Sequence, residues 1–129
     1  MLHILYFNTI IMPILENIEV RKKAVQLAKN IYDMCKNNSY IKNDYGIRDQ
    51  LQRSAVSIAS NIAEWNDRET DKEFIRFLYI ARGSCSELKT QLFIIENLLD
   101  KKIYNELLEQ TTEIHKMLNK FIQKIKSDI

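Results

Sequence analysis

The chain has 129 residues with 46% hydrophobic and 28% charged side chains, enough for one folded domain with its own core and too apolar for intrinsic disorder. It holds only 2 glycines and 1 proline, which argues against a many-stranded sandwich or barrel and against the glycine loops of nucleotide-binding folds. Nineteen Lys and Arg oppose 17 Asp and Glu, a net charge of +2 that does not by itself announce a nucleic-acid binder.

Residues 1–15 form an apolar tail with neither the positive leader nor the small-residue cleavage site of a signal peptide. The stretch is also too short to span a membrane and is interrupted by Asn8, so no membrane partner is expected. Two readings of it stand open. Either Met12-Pro13 marks the true start of translation, or Ile4-Leu5-Tyr6-Phe7 and Ile10-Ile11 form an arm that docks on a neighbour. Residues 16–129 are the folded unit.

From Glu19 the apolar residues take helix spacing. The first segment, running to about Lys36, places Ala24, Ala28, Ile31 and Cys35 on one stripe, widened by Val20, Leu27 and Met34. Asn37-Asn38-Ser39 ends it. A second segment starts near Asp44 and carries Ile47, Leu51, Ala55, Ile58, Ile62 and Trp65. The third opens on a capping box, Thr70 with Glu73 three residues on. Its Phe74, Leu78, Ala81, Cys85, Leu88, Leu92, Ile95 and Leu99 then alternate steps of four and three. The fourth, capped by Asp100, has Leu107, Thr111, Ile114, Leu118, Phe121 and Ile125. A period near 3.5 with short connections predicts an all-α fold, an antiparallel up-down-up-down four-helix bundle. The third helix has a further apolar flank of Ile75, Tyr79, Ile80, Phe93, Ile94 and Leu98, which points to self-association.

Chemistry is sparse. No Glu-x-x-His pair suits a di-iron bundle, because Glu113 precedes His115 by two residues and the two fall on different faces. Cys35 and Cys85 fall at apolar heptad positions and read as reduced core residues of a cytoplasmic protein. No catalytic, metal or cofactor site is expected, and the chain reads as a non-enzyme. The unusual stretch is residues 53–64. There Arg53, Ser57, Ser60 and Glu64 step by four, three and four, with Asn61 beside them. These form a polar stripe suited to a seam between helices or subunits, and Gly83 with its serine neighbours offers a matching small patch. Candidate nucleic-acid contacts are Arg68, Lys72 and Arg76 around the third helix and Lys116, Lys120 and Lys124 on the fourth.

The stretch Arg53 to Glu64, the run Lys72 to Ser84, the run Ser86 to Leu92 and Met117-Leu118-Asn119 together resemble the four-helix-bundle family encoded in 23S rRNA intervening sequences of bacteria. The resemblance spans Ile18 to Ile125. It implies a homopentamer without enzymatic activity, related to the accessory variability determinant of diversity-generating retroelements, which contacts reverse transcriptase and nucleic acid. The chain departs from the family pattern at Trp65, where a glycine is usual, so Asn66 is the candidate for a left-handed helix end. Two functions compete: an oligomeric scaffold that contacts RNA or a nucleic-acid enzyme such as a reverse transcriptase, and a purely structural adaptor whose partner is protein.

Overall fold

The structure, a computed structural model, describes residues 12–64 and 70–127, with side chains from residue 15 onward. Most of the apolar tail, Trp65, Asn66 and Arg68 lie outside the described residues. Among the described residues there is no strand. The elements are α1 (Met12–Asn37), α2 (Ser39–Asn43), α3 (Tyr45–Ala63), α4 (Asp71–Ile94), a 3-10 turn (Glu96–Leu98) and α5 (Lys101–Ser127).

Each boundary has a local cause. The Asn38 side-chain oxygen accepts from the backbone N–H groups of Tyr40 and Ile41, starting α2. Its amide donates to the Leu98 carbonyl at 2.9 Å, tying this turn to the one after α4. Asp44 caps α3 by accepting from the Ile47 N–H. Thr70 caps α4 by accepting from the Glu73 N–H at 3.1 Å, and Asp71 and Glu73 place negative charge at the positive end of that helix. Asp100 accepts from the N–H groups of Lys102 and Ile103 and starts α5. Thr70 and Asp100, the capping residues read from the sequence, cap their helices, and the Asp44 cap is an addition from the structure.

Two boundaries differ from the sequence reading. Helix α1 begins at Met12, inside the stretch set apart as a tail, because Pro13 in a first helical turn removes only an N–H that has no intrahelical acceptor there. The short helix α2 has no counterpart in the expected segments. It contributes one core residue, the fully buried Ile41.

α1 packs on α3 and α5, and α4 packs on the same two helices. The side-chain bonds between α4 and α5 run from Arg82–Asn119 to Lys89–His115, residue numbers rising on one helix as they fall on the other. Glu16–Lys124, Lys23–Glu113 and Asn30–Gln110 show the same order between α1 and α5. The heptad residues of all four segments meet in one core: Ala24, Ile31, Leu51, Ile58, Leu78, Leu88, Leu107 and Leu118 are all buried. Phe74 and Phe121 pack edge to face within it, with ring centroids 5.7 Å apart. Ile75, assigned from sequence to the outer flank of the third helix, is buried with this core. A 24-residue helix between two neighbours buries a stripe wider than its strict four-three seam, and Ile75 lies next to Phe74 on that wider stripe.

Candidate interaction surfaces

The polar stripe on α3 divides. Ser57 Oγ and Ser84 Oγ of α4 are 2.8 Å apart, and the Asn61 amide donates to the Ser57 carbonyl and hydroxyl at 2.8 and 3.1 Å. Ser57 and Ser84 thus meet across α3 and α4, while both Asn61 bonds stay within α3. Arg53 lines the same groove as these serines but makes no hydrogen bond to α4, and neither does Ser60. Arg53 is 79% exposed and turns back one helical turn to Asp49, at 2.9 Å, while Ser60 faces outward. Glu64, half-buried, follows the last residue of α3. Gly83 does not serve a close helix crossing within the chain, since a Cβ added there would meet nothing within 4 Å.

The seam extends one turn further than the sequence reading saw. The buried Gln91 donates to the buried Ser54 hydroxyl at 3.0 Å, and its own carbonyl oxygen is buried without a partner. Ser54 and Ser57 are three residues apart, as are the buried positions Ser54 and Leu51, so the helical period already placed Ser54 beside the core. The polar contacts between α1 and α5 include two ion pairs, Lys124–Glu16 at 2.6 Å and Lys23–Glu113 at 3.0 Å, and the neutral Asn30–Gln110 hydrogen bond at 3.0 Å. The Asn17 amide reaches the Ile62 carbonyl at the end of α3.

Both cysteines are buried. Burial pushes the Cys35 thiol up to about 11 and the Cys85 thiol up to about 12, with nearby Arg48 and Lys89 offsetting only part of the desolvation. Both thiols are therefore protonated at neutral pH. A thiol reagent such as DTNB is expected to react with native protein at least about tenfold more slowly than with protein unfolded in guanidinium, and equal rates would show the cysteines to be accessible. Burial first, then Lys89 and Arg82, hold His115 below its ordinary value of 6.5, so it is mostly neutral at pH 7. No group of three or more His, Cys, Asp or Glu among the described residues is arranged to hold a metal ion.

The outer face of α4 is different in kind. Arg76, Ile80, Gly83, Glu87, Thr90 and Ile94 follow one another in steps of four and three and are all exposed, so they form a single outward row. Ile80 is 47% and Ile94 70% exposed, with Phe93 and Leu98 also open near the end of α4. Of the expected flank, these four stay exposed, Tyr79 is half-buried and Ile75 is not part of it.

The expected basic contacts fall mainly at one end. The contact of Phe74 with Phe121 brings the start of α4 to the late turns of α5, so Lys72, Arg76 and Lys120 project from the same end of the molecule. Lys116 is exposed further along α5. Lys124 is half-buried and its ammonium is committed to Glu16, which removes it as a free cation. No helix among the described residues is long and apolar enough to cross a membrane.

Residues 16–120 match the model of the 23S rRNA-intervening sequence protein family. The chain belongs to that family. Among solved structures it is similar to a protein of unknown function from the S23 ribosomal protein family of Bacteroides thetaiotaomicron, with 24% sequence identity and a TM-score of 0.78. That similarity covers 84% of this chain and 98% of the other, and it concerns the fold. No curated protein matches the chain. The family match contains all of α3 and α4, so both the serine seam and the exposed row lie within it.

Proposed function

We propose that this member of the 23S rRNA-intervening sequence family is a non-enzymatic scaffold that assembles as a homo-oligomer, a ring of five, and contacts RNA in the cytoplasm. Its subunit is read as an antiparallel up-down-up-down four-helix bundle, a reading supported by the opposed residue order across α1–α5 and α4–α5. The observation that carries the proposal is the outward row of α4. Ile80 and Ile94 are two heptads apart on one face, and the fold of a single chain leaves both open to water. Gly83 between them leaves room for another subunit to approach. A ring repeats each basic end, so weak phosphate contacts at Lys72 and Lys120 add through avidity. The resemblance read in the sequence, with the relation it implies to the accessory determinant of diversity-generating retroelements, adds a nucleic-acid enzyme such as a reverse transcriptase to the proposal as a protein partner of the same assembly.

Binding to a labelled structured RNA, followed by anisotropy, tests the RNA contact. Affinity is expected to fall by about tenfold or more between 50 and 200 mM salt, as phosphate-directed binding requires. A protein that assembles but binds no RNA at 50 mM salt would instead be a structural adaptor.

A further inference from the structure

The outward face of α1 was not among the expected contacts. Ile18, Lys22, Val25, Lys29, Tyr32 and Lys36 follow one another in steps of four and three, and all six are exposed. The row lies opposite the buried Val20, Ala24, Leu27 and Ile31, so it points directly away from the core. Every second member is a lysine, and the members between are apolar or aromatic. Its length, from residue 18 to 36, is about 27 Å at the rise of an α-helix.

The charges on this face are nearly all of one sign. Among the described residues, Lys22, Lys29 and Lys36, with Arg21 beside them, have no carboxylate partner, whereas Lys23 on the adjoining side is bound to Glu113 and Glu19. Asp33 is the acidic residue flanking the row. From α3, Arg53 and its partner Asp49 share with Tyr32 and Val56 a shallow groove of about 450 Å³. The cations are therefore held in no internal network. Tyr32 is 47% exposed and has Lys29 and Lys36 one turn to either side.

We infer that this face of α1 binds single-stranded RNA, with a base stacked on Tyr32 and backbone phosphates at Lys22, Lys29 and Lys36. The inference rests on the RNA contact proposed above and adds to its basic end a second surface, specific for single strands. An aromatic ring among evenly spaced cations is the arrangement that holds a single strand, because every base has a face to stack and phosphates recur along the chain. On α5, Lys116 and Lys120 have no exposed ring between them, and the Tyr79 ring under Lys126 is half-buried and already faced by Arg82 as well. Duplex RNA offers no free base face, so it uses the lysines without the tyrosine.

The test is anisotropy with a labelled single-stranded RNA of about twelve nucleotides and the matching duplex, at 50 to 200 mM salt, using the full chain. The triple variant Lys22→Glu, Lys29→Glu, Lys36→Glu should lose at least about tenfold in affinity, and the neutral variant with three glutamines should flatten the salt slope by about 2. Tyr32→Ala should weaken the single strand about tenfold while leaving the duplex within about twofold. Helicity and assembly mass are measured alongside, and the glutamine variant provides the reading should the charge reversal fail to fold. Unchanged RNA affinity in the folded, assembled variants overturns the α1 site while the RNA contact itself survives. Assembly lost in both lysine variants overturns it too, by showing that a second copy covers this face. Wild-type protein that binds neither RNA at 50 mM salt overturns the site and the RNA reading together.

Discussion

Phe121→Ala is expected to lower the unfolding free energy by about 3–5 kcal/mol, the range for removing a buried aromatic side chain. Phe121 is 1% exposed and meets Phe74, also 1% exposed, in an edge-to-face contact. The pair joins the start of α4 to the late turns of α5, where no short loop holds the two helices together. Truncation removes ring area and leaves a cavity that Phe74 alone does not fill. A domain of this size then melts on the order of 10–20 °C lower. Chemical denaturation followed by far-ultraviolet circular dichroism checks it, with Tyr40→Ala as the control because Tyr40 is 67% exposed. A loss below about 1 kcal/mol would place the two rings apart in solution.

The second large effect is on assembly. Ile80→Glu combined with Ile94→Glu is expected to convert the proposed oligomer to monomer at micromolar concentration while each chain stays helical. Both positions are exposed in the single chain, so the substitutions cost the isolated fold little. In an interface each carboxylate enters a low-dielectric contact without a partner, a penalty of several kcal/mol per charge. Two such charges at a repeated contact weaken association by about a thousandfold or more. Sedimentation velocity of the variant and of the wild type separates the outcomes. A variant that sediments as the wild type does removes the α4 row from the interface.

The four long segments were legible because their apolar residues keep one period over several turns. Leu78, Ala81, Cys85, Leu88 and Leu92 need no knowledge of their neighbours to be placed inside, and all five are fully buried. Helix α2 was not legible: with five residues and one buried position, Ile41, it has no period to read. The polar seam was half legible. Ser57 and Asn61 could be placed on one face from spacing, but the Ser57–Ser84 and Ser54–Gln91 pairs depend on the register between two helices, which neither helix encodes alone. Arg53 had the spacing of a seam residue and a nearer partner, Asp49 four residues back on its own helix. Lys124 shows the converse. It lies in a regular lysine stripe, and only the fold reveals that Glu16, far away in sequence, neutralises it.

The assembly claim rests most directly on the mass of the purified 129-residue chain in solution. Multi-angle light scattering behind size exclusion, at micromolar concentration and 150 mM salt, is expected to give five times the 15.3 kDa of one chain. A single species at 15.3 kDa across that concentration range would contradict the account, leaving Ile80 and Ile94 as exposed residues of a monomer.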